Sequence, residues 1–209
     1  MSSKSFQHLT VFCLGSAVLV GMAAIAVCEP SASSKASTEK ASDTSTAFSP
    51  YVSSKGDISR PTDYRETFRH LGTWAVAKKA NEPVHELHNV YAQPDAIKAF
   101  QQNGKFPDGA VLVKEITNVS AAKLTTGQSS WSTDDKVWFV MIKDSKGRFP
   151  GNDLWGDGWG WALFEAKEPT RNVATNFKND CLPCHVPAKQ DDWVYIRGYA
   201  LLGKHAAAR

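Results

Sequence analysis

Ala110-Val111-Leu112-Val113-Lys114-Glu115-Ile116-Thr117-Asn118-Val119 is a run of aliphatic and β-branched residues that favours an extended strand over a helix. A second run of the same kind, Lys136-Val137-Trp138-Phe139-Val140-Met141-Ile142-Lys143, follows less than twenty residues later. Val84 to Tyr91 mixes apolar and aromatic residues with polar ones and reads as a third strand, and Gly160 to Glu165 as a short fourth. Around them, Tyr64 to Lys79 has helix-like spacing, with Asp63 or Thr62 as N-cap. Pro94 to Gln102 reads as a short helix opened by proline and stopped by Gly104. Pro169 to Lys178 reads as a helix, and Trp193 to Leu202 begins extended with no clear period beyond. The sum predicts an α+β domain, mainly antiparallel β-sheet with a few flanking helices.

The chain has 209 residues and a formal net charge of +3, so one globular domain is expected. It has no Lys/Arg-rich block and no Arg-aromatic interleaving, so nucleic acid is not an expected partner. Residues 1–28 read as a leader: Lys4 supplies the positive start, and Leu9 to Val27 is uncharged and mostly apolar. Three readings fit it. Ala24-Ile25-Ala26 has the small residues a signal peptidase reads; the apolar run also has the length of an uncleaved anchor; and Ile25-Ala26-Val27-Cys28 is a loose lipidation motif, with Val27 bulky for its place. Each puts the domain outside the cytoplasm, so a periplasmic protein is expected, soluble or tethered to the membrane by its N-terminus. Residues 29–56 are rich in Ser, Thr and Ala and read as a disordered linker, 57–204 as the domain, and 205–209 as a tail.

Of four cysteines, Cys13 and Cys28 belong to the leader, which leaves Cys181 and Cys184 for the domain. Both sit in Cys181-Leu182-Pro183-Cys184-His185. Thiols at this spacing can add to the two vinyl groups on one edge of a haem, and the adjoining histidine then lies beneath the iron. One covalent haem c is therefore the expected cofactor, with thioethers at Cys181 and Cys184 and His185 as proximal ligand, the haem packing against the sheet. A zinc site would need a second ligand pair that the chain does not offer. A thioredoxin-like redox pair follows a βαβ pattern not seen here, and a plain disulfide leaves His185 unexplained.

A sixth ligand would make an electron carrier, whereas an open iron binds gases or turns over a substrate. Met141 is the one methionine beyond the leader, and it sits in an apolar strand where methionine commonly fills a core. His70, His85, His88 and His205 are further candidates, each more simply read as a surface or hydrogen-bonded histidine. An open distal site is the working expectation.

Phe106-Pro107-Asp108-Gly109-Ala110-Val111-Leu112-Val113-Lys114-Glu115 resembles the lysine-bearing strand of the cytochrome P-460 family. The segment Lys143-Asp144-Ser145-Lys146-Gly147-Arg148-Phe149, the pairs Tyr64-Arg65, Val90-Tyr91 and Gln93-Pro94, and the late Cys181-to-His185 motif fall in that family's order. The resemblance covers about Pro61 to Leu202. It implies a small, mostly antiparallel β fold that forms homodimers around a pentacoordinate haem. It also implies a lysine cross-linked to the porphyrin, at Lys114, and an oxidoreductase that oxidises hydroxylamine and passes electrons to another cytochrome. Independently of the resemblance, Lys114 shares a strand face with Leu112 and Ile116, where an ammonium group must reach solvent, find a carboxylate or be modified. The position of the oxidases' distal glutamate falls on Phe139, which cannot take a proton. Phe139 instead resembles the aromatic distal cap of the related cytochromes c′-beta, which bind nitric oxide. The oxidases' distal arginine falls on His88, a residue able to accept a proton near neutral pH. Asp134 and Asp135 are the nearest other carboxylates. The tryptophan run Trp155 to Trp161 is explained by core packing or a dimer contact as well as by a haem wall.

Overall fold

The computed structural model describes residues 48–203. The leader, most of the expected linker, and the tail with His205 lie outside the described residues. In chain order the elements are α1 (Tyr64–Thr67), β1 (Arg69–Val76), β2 (Glu86–Ala92), α2 (Pro94–Asn103), β3 (Val111–Leu124), β4 (Gly127–Lys143), β5 (Trp155–Gly156), β6 (Trp159–Glu165), β7 (Glu168–Asn172), α3 (Phe177–Asp180) and α4 (Leu182–His185). The strands form a single antiparallel sheet in the order β1-β2-β3-β4-β6-β5, with β7 pairing β6. The α+β expectation holds. The two strongest strand runs are the central hairpin β3–β4, and α2 ends at Gly104 in the left-handed conformation.

Two helix expectations do not hold. Only Tyr64–Thr67 of the Tyr64-to-Lys79 segment is helical; Arg69–Val76 becomes an edge strand paired to β2. Thr73, Trp74 and Val76 are poor helix and good strand residues, Gly72 is a poor helix former, and pairing with β2 satisfies their backbone groups. The Asp63 side chain makes no cap hydrogen bond. The Pro169-to-Lys178 segment is strand β7 followed by a turn, and helix begins only at Phe177. Here the Asn172 side chain accepts from the backbone of Leu163 and Ala174, tying the segment to β6. The end of the expected linker is also packed. Ser49 is buried, Phe48 lies beside Phe149 and Trp155, and Val52 bridges to Ile58. Trp193 to Leu202 is a set of turns ending in a 3-10 turn, Ala200–Leu202.

Alternation along the strands gives the sheet two apolar faces. Val111, Val113, Trp138, Val140, Ile142 and Phe164 turn to one side and pack with Ile58, Tyr64 and Phe68 from the N-terminal segment. Val90, Leu112, Met141, Trp159 and Trp161 turn to the other and pack with α2 and the C-terminal segment, including Cys181. Each fully buried side chain of this size contributes roughly 1.5–3 kcal/mol. Seating the C-terminal segment needs two glycines. A Cβ on Gly156 would lie 2.1 Å from the Phe177 ring, and one on Gly72 would lie 2.8 Å from the Tyr199 ring.

Candidate haem site

The cysteine motif is braced before it begins. Asn176 caps α3 by accepting from the Lys178 backbone, and the Asp180 carboxylate accepts from the backbone of Thr175 and Asn176 at 2.7 and 3.0 Å. Phe177, held against Gly156 and Trp161, pins this short helix to the sheet. The chain then turns through Cys181 into α4, whose second residue is Pro183, a tolerated place for proline in a first turn. Cys181 is buried in the second core, Cys184 is exposed, and the two are not joined to each other.

His185 ends α4 and faces an apolar cavity. The cavity's sheet wall is Val90, Leu112, Lys114, Phe139 and Met141; its other wall is Cys184, His185, Val194, Tyr195 and Tyr199. His185 Nδ1 lies 2.7 Å from the Trp193 carbonyl oxygen. A carbonyl only accepts, so Nδ1 carries the proton and Nε2 keeps a free lone pair. Burial pushes the imidazole below its ordinary range, against the opposing effect of the Trp193 hydrogen bond, so it stays neutral, the form that ligates a metal. The Trp161 ring meets it edge-on at 4.9 Å, and the Tyr195 hydroxyl donates to the Cys184 carbonyl.

Lys114 stands on β3 opposite Phe139 of β4, with its Nζ 4.4 Å from the centre of the Phe139 ring. Desolvation by burial lowers the Lys114 pKa, partly offset by Cys184 and Glu86. A desolvated amine is more readily neutral and therefore nucleophilic. His88 is on the same sheet face, two residues from Val90, but it does not line the cavity. Its Nε2 lies 3.2 Å from Glu86, and Glu86 also holds Lys136. Burial lowers the His88 pKa and Glu86 opposes that. Asp135 is committed elsewhere, to Arg65, and Asp134 is exposed. His70 bonds Thr73 and leans on Tyr91, and His85 is exposed, so neither lines the cavity. Met141 does line it.

The residues fit a haem. One histidine presents a free Nε2 to an apolar cavity, one exposed thiol lines that cavity, and a second thiol lies three positions back in the same core. The redox-pair alternative fits poorly: burial raises the Cys181 thiol to about 11, whereas reactive Cys-x-x-Cys thiols are depressed. Tryptophans 155 and 161 part company, since Trp155 packs in the far core and donates to the Gly56 carbonyl while Trp161 braces His185. Trp193, Tyr195 and Tyr199 were not singled out in the sequence, and Trp161 was read only as one of a tryptophan run open to core packing, a dimer contact or a haem wall. Their roles arise from a backbone carbonyl and from ring packing, which leave no spacing signature.

The fold and site define a haem-binding protein built on an antiparallel sheet. A family model described as Cytochrome P460 matches residues 61–196, well over half of the chain. The chain belongs to the cytochrome P460 family and is a haem protein of that family. No curated protein matches it.

Proposed function

We propose that this is an exported c-type cytochrome that binds a small nitrogenous ligand, nitric oxide or hydroxylamine, at a single haem. Cys181 and Cys184 would hold the group through thioethers, and His185 would ligate its iron. The haem supplies an iron centre able to bind such a ligand and exchange electrons. The chain's own residues do the rest. Trp193 and Trp161 orient the imidazole, Val90, Leu112 and Val194 keep water out, and Phe139 with Lys114 forms the sheet-side cap. The observation that carries the proposal is His185 Nδ1 on the Trp193 carbonyl beside this cavity.

Between binding and oxidation, the lining favours binding. Among the described residues that line the cavity there is no carboxylate, and Phe139, which does line it, cannot take a proton. If hydroxylamine is oxidised, His88, bonded to Glu86 on that sheet face, would serve as proton acceptor, and electrons would pass to another cytochrome. Met141 on the cavity wall supports a second reading, a thioether sixth ligand in an electron carrier.

The test is the absorption spectrum of the dithionite-reduced protein together with its intact mass. One haem added to the chain mass and a high-spin spectrum that responds to nitric oxide is the expected result. A red-shifted, broadened Soret band that reverts in Lys114→Arg adds the lysine cross-link. A low-spin spectrum lost in Met141→Leu supports the electron carrier, and a chain mass without haem overturns the proposal.

A further inference from the structure

The segment that supplies the Trp193 carbonyl is held in an unusual way. Asp192 and Trp193 are consecutive non-glycine residues with φ of 58° and 66°. The left-handed region is costly for a residue with a side chain, and is more readily borne by aspartate than by tryptophan. Two such residues in a row persist only where the surroundings over-determine them.

The surroundings here are specific. The Asp192 carboxylate is ion-paired with Lys143, and the two side chains are only 8% and 11% exposed. Its other oxygen accepts from the Phe106 backbone N–H at 3.1 Å. Lys143 is the last residue of β4, two positions from Met141 on the same sheet face, and its ammonium group lies 4.7 Å from the centre of the Trp159 ring. The Trp193 N–H is itself taken by the Ala188 carbonyl at 3.0 Å. The turn is thus clamped to the sheet by a buried ion pair, to the loop after α2 by a backbone bond, and to the preceding 3-10 turn (Val186–Asp191) by another. The group left facing inward is the Trp193 carbonyl, on His185 Nδ1.

We infer that Lys143 and Asp192 are positioning residues for the proximal ligand: the buried pair holds the Asp192–Trp193 turn so that its carbonyl orients His185 and makes the imidazole a stronger donor. A replaceable stabilising ion pair would not need to sit on the one turn that bonds the histidine. Breaking a buried pair leaves an uncompensated charge that moves toward water, and the turn moves with it. The hydrogen bond to Nδ1 then weakens, and with it the basicity of Nε2.

The inference rests on haem ligation by His185, and the experiment separates the two. Resonance Raman spectra of the ferrous, haem-loaded protein report the iron–histidine stretch, with circular dichroism melting recorded in parallel. The parent should show the band, and His185→Ala should lose it; a parent that carries no haem overturns the haem reading itself, and a haem-loaded parent without the band is six-coordinate and overturns the open-iron reading together with this inference. In Lys143→Met the band should move to lower frequency and broaden, Asp192→Asn should move it the same way, and Lys143→Arg should restore it. A folded, haem-loaded Lys143→Met protein with the band at the parental position overturns the inference even if it melts earlier. So does a Lys143→Arg protein shifted as far as Lys143→Met.

Discussion

Replacing Glu115 with glutamine should unfold the protein more easily while leaving the haem spectrum in place. Glu115 is the neighbour of Lys114 on β3 but turns to the far face, where it is 3% exposed. Its Oε2 accepts from the Tyr64 hydroxyl and from Arg65 Nε, and its Oε1 from Asn89 Nδ2 and the Tyr91 hydroxyl. The Tyr64 oxygen in turn accepts from Trp138 Nε1, so the cluster joins α1 to strands β2, β3 and β4. Glutamine preserves the length but turns one oxygen into a donor, so two of these four donors face an N–H group. Unsatisfied buried donors cost about 1–3 kcal/mol each, and breaking a buried ion pair costs about 3–5 kcal/mol in all. Arg65 is half exposed and recovers part of its loss in water, which favours the lower end, about 3 kcal/mol. For a domain of this size that lowers the melting temperature by roughly 6–12 °C. Thermal unfolding followed by tryptophan fluorescence, with the Soret region recorded alongside, provides the measurement. A loss under about 1 kcal/mol would show that the cluster is not a buried keystone. A changed haem spectrum would show that the two faces of the sheet are not independent.

Three further outcomes are expected. Phe139→Ala should speed nitric oxide association about tenfold, equivalent to about 1.4 kcal/mol of barrier, and an unchanged rate in stopped flow would show that Phe139 is not the cap. Among the described residues, the tip of the β3–β4 hairpin, residues 119–132, pairs only with itself, and it carries Trp131 at 44% and Leu124 at 51% exposure. Such a ribbon is marginal alone, so sedimentation should show the homodimer the family resemblance implies, and Trp131→Glu should weaken it; a monomeric parent would refute this. Finally, burial and Glu115 raise the Tyr91 hydroxyl from 10.0 to about 12. The unfolded chain loses that proton first, so Tyr91's contribution is intact below pH 10 and is lost as pH rises toward 12. Melting temperatures that stay flat between pH 10 and 12 would contradict the burial of this cluster.

The proposed cofactor chemistry is written locally, in Cys181, Cys184 and His185, because covalent attachment and ligation would need residue types at a short fixed spacing. The same holds for β3 and β4, whose composition marks them as strands, and for α2, bounded by Pro94 and Gly104. Where the sequence misled, tertiary pairing overrode local pattern. Arg69–Val76 is a strand because β2 is there to accept it, and Glu168–Asn172 is one because β6 is. Only the folded chain decided that Lys114, Phe139 and Met141 share a cavity with His185 and that His88 stands off its rim. Only the fold, too, set Lys143 and Asp192, far apart in sequence, as one buried pair behind the Trp193 carbonyl. A backbone oxygen is common to every residue, so its aim at a histidine leaves no trace in composition or spacing and emerges only when the sheet and the C-terminal segment come together.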